Sequence, residues 1–190
     1  MVLQSQRVTV QSFEAFIAKP ENQGRNFELL RGEIIEVTSN PYSSEIAGLI
    51  IFFIHLFLRE NKIKGHVTVP DGGYIVNDER YIPDVAYISA AKQATMPYNQ
   101  GYNTLPPELA VEVLSPSDAA TNVRVKVANY LAAGTVVWVV NPPVKEIEVY
   151  VPGQSVVVYA ESDTLDGAPV LPGFKLPVAE VFPAQDEPSA

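Results

Sequence analysis

The 190 residues predict an α/β (α+β) fold, a mixed central β-sheet flanked by helices. Two largely apolar runs, Leu109–Leu114 (LAVEVL) and Val136–Asn141 (VVWVVN), read as buried strands, with a helical stretch between them. A helix crossover between two strands of one sheet makes them a parallel pair. Short strand-like runs around them are split by two-residue turn signals, the mark of antiparallel pairing. Ile46–Leu58 (IAGLIIFFIHLFL) is apolar nearly all the way round, as in a helix covered on more than one side.

The elements follow in chain order. Thr9–Ala18 reads as a short amphipathic helix, with Ser12 able to cap it and Phe13, Phe16 and Ile17 on one face. Residues 22–26 read as loop. Phe27–Val37 (FELLRGEIIEV) is a hairpin turning at Arg31-Gly32, where glycine tolerates positive φ. SNPYSSE opens the long helix: its serines can cap it, Glu45 complements its positive end, and it runs to Glu60 or Asn61. His66–Pro70 and Gly73–Val76 are strand-like, with Asp71-Gly72 as the turn between them. Tyr81–Ser89 (YIPDVAYIS) reads as a strand with Pro83 near its start or edge. Residues 90–107 form a long polar insertion, a surface loop or lid. Ser115–Asp118 turns the chain and caps a helix over about 119–133, which Gly134 ends. Glu146–Val151 and Ser155–Tyr159 pair around Pro152-Gly153, and LDGAPVLPGFKLPVAEVF packs a last edge. With no repeat and no linker, residues 1–182 are expected to form one domain, and 183–190 a flexible tail.

Composition narrows the chemistry. With no cysteine, disulfides, thiolate zinc sites and thiol nucleophiles are excluded. Acidic residues outnumber basic ones 22 to 13, a net charge of −9, which argues against a general polyanion binder. The N-terminus lacks the charged head and apolar core of a signal peptide. The run 46–58 is shorter than the roughly 20 apolar residues of a spanning helix. A cytoplasmic protein without membrane association is expected. The apolar helix 45–60 and VVWVVN suggest a homodimer.

Charged residues are only 18% of the chain, so a charge inside an apolar run is informative. Asp84 lies inside YIPDVAYIS, and Glu112 lies inside LAVEVL. Desolvating a lone carboxylate is costly. Two remedies stand open: pairing with Lys or Arg, or a hard divalent cation such as Mg²⁺ or Mn²⁺. In the helix after LAVEVLSPSD, Lys126 and Tyr130 share a face, and Lys126 is placed to reach Glu112 or to remain a solvated surface lysine. Glu45 either serves the helix dipole or adds a carboxylate facing a metal. Ser115 and Ser117 start the helix or orient the site from behind. Glu28, beside Phe27 and Leu29, is a weaker inward-facing candidate, whereas Glu33 and Glu36 read as solvent-facing. His55 and His66 are too far apart to read as a metal pair. No nucleophile elbow and no phosphate-cradling glycine loop is present.

The runs TSNPYSSE, HVTVPDGGYIV, PDVAYIS, LAVEVLSPSD, KVANYLAAGTVVWVVNP, IEVY and LDGAPVLPGFKLP resemble the Uma-two family over about Gln11 to Phe182. These are restriction-endonuclease-like proteins of the PD-(D/E)XK nuclease superfamily. The resemblance implies a restriction-endonuclease-like core with its site at the strand ends. It matches Asp84 to the PD aspartate and Glu112 to the glutamate of the second motif. Leu114 stands where the literal motif has lysine, so the resemblance assigns that role to Lys126 on the following helix. It implies a metal-dependent DNA endonuclease. Asp84, Glu112 and the backbone carbonyl of Val113 would hold Mg²⁺ or Mn²⁺, with Lys126 orienting water and Glu45 serving a second metal or a metal-bound water. Two other classes stay open: a non-catalytic binding or assembly protein on a degenerate nuclease fold, and a phosphoesterase of small nucleotides.

Overall fold

In the computed structural model, which describes residues 7–38, 40–116 and 119–183, the two apolar runs lie side by side at the centre of a sheet. In chain order the elements are α1 (Val10–Ile17), β1 (Phe27–Leu30), β2 (Glu33–Glu36), α2 (Pro41–Glu60), β3 (Gly65–Thr68), β4 (Gly73–Val76), β5 (Glu79–Tyr81) and β6 (Val85–Ser89). There follow β7 (Tyr102–Asn103), β8 (Leu109–Val113), α3 (Ala120–Ala132), β9 (Val136–Asn141), β10 (Glu146–Tyr150), β11 (Val157–Tyr159), β12 (Thr164–Asp166) and β13 (Lys175–Pro177).

A six-stranded sheet runs β11-β10-β9-β8-β6-β3 and a five-stranded sheet runs β2-β1-β5-β4-β7; β12 and β13 form a separate ladder. The β8–β9 pair is parallel, as the crossover through α3 requires, and the other pairs in its sheet are antiparallel. β8 and β9 show no polar alternation because both faces are covered. Leu109, Val111, Val113, Val136, Trp138 and Val140 pack with the inner face of α2. Ala110, Val137 and Val139 pack on the opposite side with Val127 and Tyr130 of α3 and Tyr74 and Tyr81 of the smaller sheet. VVWVVN is therefore covered within the subunit and provides no surface for a second copy.

The first hairpin forms as expected, with Arg31 (φ 54°) and Gly32 (φ 78°) both left-handed in a two-residue turn. α2 begins after Asn40 rather than after a serine: the Asn40 side chain accepts the Ser43 N–H at 2.9 Å, and Pro41 occupies the first turn. Replacing Asn40 with Ala should cost about 1 kcal/mol, read as a lower urea midpoint at unchanged slope. Ile46, Ile50, Ile54 and Leu58 form the buried stripe of α2. By length and composition α2 also qualifies as a membrane-crossing helix, but that stripe is seated on the sheet.

Two expected connections are corrected. β3 and β4 do not form a hairpin. β3 pairs with β6 in the larger sheet, β4 pairs with β5 and β7 in the smaller one, and residues 69–72 carry the chain between them. YIPDVAYIS is likewise two strands, β5 in one sheet and β6 in the other. Pro83 brings no N–H to a ladder, and the Ile82 N–H is taken by the Glu28 carboxylate at 2.8 Å. Asp84 thus stands in the gap between two sheets, not within a strand.

The insertion 90–107 is only partly a surface loop. Tyr98 is exposed, but β7 adds a parallel strand beside β4, and Asn103 is buried against the Gln93 amide. Ser39, Ser117, Asp118 and the tail from 184 onward lie outside the described residues, so the expectations placed on Ser117 and on that tail fall there too.

Candidate active site

The gap between the sheets gathers the charges that the apolar runs could not cover. Along β8 the odd-numbered residues face α2, so Glu112 faces α3, where Lys126 and Tyr130 stand one turn apart. The Lys126 Nζ lies 2.6 Å from Glu112 Oε2 and 2.9 Å from Glu28 Oε1. Tyr130 donates its hydroxyl to Glu112 Oε1 at 3.2 Å. Glu28 Oε1 also accepts the Ile82 N–H. Asp84 Oδ2 accepts the Val113 N–H at 2.7 Å, which ties the start of β6 to the end of β8. The Lys126 ammonium lies 5.7 Å from the centroid of the Tyr81 ring. Tyr81 is itself held by Glu79 and Asn129.

Glu28, Glu112 and Lys126 are all buried, with exposures of 5%, 8% and 9%. Charges so placed persist only when paired. Glu28, Asp84, Glu112 and Lys126 line one cavity of about 300 Å³, together with Ser43 of α2 and Asn122 of α3. Among the described residues, Lys126 is the only Lys or Arg on its wall. Glu36, also on the wall, is held by Arg25 at 2.6 and 2.9 Å.

Burial pushes the Glu112 carboxyl up to about 8; Lys126 opposes the shift, while the negative Glu28 and Asp84 add to it. Burial alone would pull the Lys126 ammonium down, but Glu112 and Glu28 outweigh it and hold the group above its ordinary value. Burial and the same two carboxylates raise the Tyr130 hydroxyl. Burial is the first cause of the Glu112 and Tyr130 shifts, and the cluster's excess of negative over positive charge raises all three groups.

A pH dependence follows. Between the ordinary carboxyl value and about 8 the folded chain binds Glu112's proton while the unfolded chain does not, so stability falls as pH rises through that window. Lys126 contributes no slope there, because its stabilisation is lost only above the ordinary lysine value. Metal-free thermal melts from pH 5 to pH 9 should show a falling Tm in wild type and a flatter profile in Glu112→Gln; equal slopes would refute the assignment.

The donor chemistry fits a hard divalent cation. Asp84 and Glu112 offer carboxylate oxygens at adjoining strand ends, and the excess negative charge is what a dication relieves. No complete set of three His, Asp or Glu ligands occurs among the described residues. An ion here would take its remaining ligands from water and substrate, as Mg²⁺ commonly does.

The structure thus brings Asp84, Glu112 and Lys126 together, with Val113 and Ser115 on the same wall. It does not bring Glu45, which is exposed on α2 and does not line the cavity. Glu28 proves central although its sequence signal was weak. Its signal was available: FELL brackets an acid with apolar residues just as LAVEVL does, and all four residues of β1 are buried.

The Uma2 family model, described as "Putative restriction endonuclease", matches residues 10–179. No curated protein matches the chain. Among solved structures, the chain is similar to "a putative nuclease belonging to DUF820 from Anabaena variabilis", at 21% identity and a TM-score of 0.77. The alignment covers 92% of this chain and 97% of that one, and the likeness shows a shared fold.

Proposed function

Because the chain belongs to the Uma2 family, described as "Putative restriction endonuclease", we propose that it is a metal-dependent endonuclease hydrolysing phosphodiester bonds in DNA. The observation that carries this reading is the Lys126 ammonium bridging Glu112 and Glu28 on the wall of the cavity that holds Asp84. Leu114 occupies the position where a literal E-X-K motif carries its lysine, and α3 supplies the ammonium instead.

Asp84 and Glu112, with the Val113 carbonyl, would hold Mg²⁺ or Mn²⁺. Such an ion, when bound, lowers the pKa of its water and offsets charge on the scissile phosphate. The Val113 N–H fixes one Asp84 oxygen and so sets the direction of the other. Lys126 stays charged, and two carboxylates and the Tyr81 ring hold it still. It is placed to orient the attacking water or to neutralise charge developing on a phosphoryl oxygen. Glu28 acts as a positioning residue: its carboxylate joins Lys126 to the backbone of Ile82. Ala119, with no capping side chain, starts α3 on the cavity wall, so the positive end of that helix faces the space where a phosphate would lie.

With Lys126 as the only wall cation among the described residues, few phosphates are neutralised, so DNA binding should be weak and carry a shallow salt slope. The direct test incubates the purified chain with plasmid and linear DNA in Mg²⁺ or Mn²⁺. Cleavage is expected, and both EDTA and Asp84→Asn should remove it. Cleavage that survives either treatment overturns the metal mechanism. Hydrolysis of small nucleotides with DNA left intact would make the chain a phosphoesterase instead.

A further inference from the structure

α2 turns one face to the sheet and leaves a second apolar face uncovered. Phe52 is 56% exposed and Leu56 38% exposed, and Glu45, Gly48 and Arg59 are exposed along the same stripe. These positions are arranged evenly about Phe52. Glu45 and Arg59 each stand seven residues from it, and Gly48 and Leu56 each stand four. Heptad and four-residue steps return to the same side of a helix, so these positions form one seam.

We propose that this seam pairs with the same seam of a second copy, antiparallel, about a two-fold axis through Phe52. That register sets Glu45 against the second copy's Arg59, and Arg59 against its Glu45. It also sets Gly48 against the second copy's Leu56. A two-fold interface must be self-complementary, and opposite charges at equal distances from the axis satisfy that condition.

Gly48 supplies the second argument. Glycine inside a helix is disfavoured relative to alanine. Nothing in the subunit requires it here, because no atom lies within 4 Å of the place where a Cβ would stand. A bare backbone in an exposed apolar seam admits close approach by another helix, and the second copy's Leu56 falls opposite it. The inner stripe of α2 is packed on the sheet, so the outer seam is presented rigidly. The arrangement also gives Glu45, which stands past the first turn of α2 and does not line the cavity, a partner of opposite charge. It would place the two Ser43 walls about 27 Å apart along the paired axes.

A lipid surface is the rival occupant, since α2 has the length and composition of a membrane-crossing helix. The charge pattern favours the second copy: a chain of net charge −9 is repelled by anionic lipid, and Glu45 lies in the seam itself.

Analytical ultracentrifugation of the full chain tests the proposal. Wild type should sediment as a dimer, and Phe52→Glu as a monomer with an unchanged circular dichroism spectrum. Gly48→Leu, which has room within the subunit, should also favour monomer. Glu45→Arg should raise the dimer Kd at least about tenfold, and adding Arg59→Glu should restore it. The proposal is overturned by a monomeric wild type, by a dimer indifferent to Phe52→Glu, or by a double variant no tighter than Glu45→Arg alone. A monomer that co-sediments with phosphatidylcholine–phosphatidylglycerol vesicles and loses them on Phe52→Glu would overturn it in favour of lipid.

Discussion

Replacing Lys126 with Ala is expected to destabilise the chain by about 3–5 kcal/mol and to abolish DNA cleavage. The cost arises from what is left behind. Glu112 and Glu28 stand 2.6 and 2.9 Å from the same ammonium, and both are buried. Without that ammonium, two carboxylates share a buried pocket with no cation, keeping only the Tyr130 hydroxyl and the Ile82 N–H as donors, and each must be protonated or hydrated. Urea unfolding at neutral pH reads the loss. Two further measurements separate this account from simple loss of packing. Mg²⁺ should raise the Tm of Lys126→Ala more than that of wild type, because the cluster has become more negative. Adding Glu28→Gln and Glu112→Gln should recover much of the stability and none of the activity, since neutral groups are cheaper to bury than unpaired charges. A single-variant cost below about 1 kcal/mol, the scale of an exposed pair, would show that the bridge contributes little.

Glu112→Gln should separate activity from stability in the opposite sense. Cleavage should fall at least about a hundredfold, the scale of removing one preorganised charge-stabilising group. Stability should hold or rise at pH 8. The amide keeps the side chain's shape and its neighbours while removing the charge whose desolvation pushes the carboxyl up to about 8. Tm and initial cleavage rate measured on one preparation across a Mg²⁺ titration would show both effects. A variant that cuts at the wild-type rate would remove Glu112 from the reaction. A variant that fails to fold would show that Lys126 needs both carboxylates.

Three of the proposed site residues were legible because their signals are local. Asp84 and Glu112 stand out as acids in apolar company. Lys126 is 14 residues from Glu112, within a single strand-to-helix crossover, so the crossover rule nearly suffices to bring the two together. Glu28 was harder to find because its partners are remote: Ile82 is 54 residues away and Lys126 is 98. No periodicity spans such distances. Glu45 shows the converse case. An acid in the first turns of a helix has a local explanation, and only the placement of α2 against the sheet shows that it faces away from the cavity.

The fold divides along the same line. Periodicity, turn residues and apolar runs determined the first hairpin, the long helix, the crossover and the parallel pair, because each depends on neighbours a few residues apart. Tertiary structure decided which sheet each strand joined. Gly73–Val76 and Tyr81 have the same strand character as His66–Thr68 and Val85–Ser89, and backbone propensity does not distinguish two sheets. Packing does. Tyr74, Val76 and Tyr81 bury against α3, whereas Val85 and Tyr87 bury against α2, so the chain must cross between sheets at 69–72 and again at 82–84. The second crossing leaves Ile82 and Asp84 outside the ladders, where Glu28 and Val113 take up their polar groups, and the candidate site is built at that break.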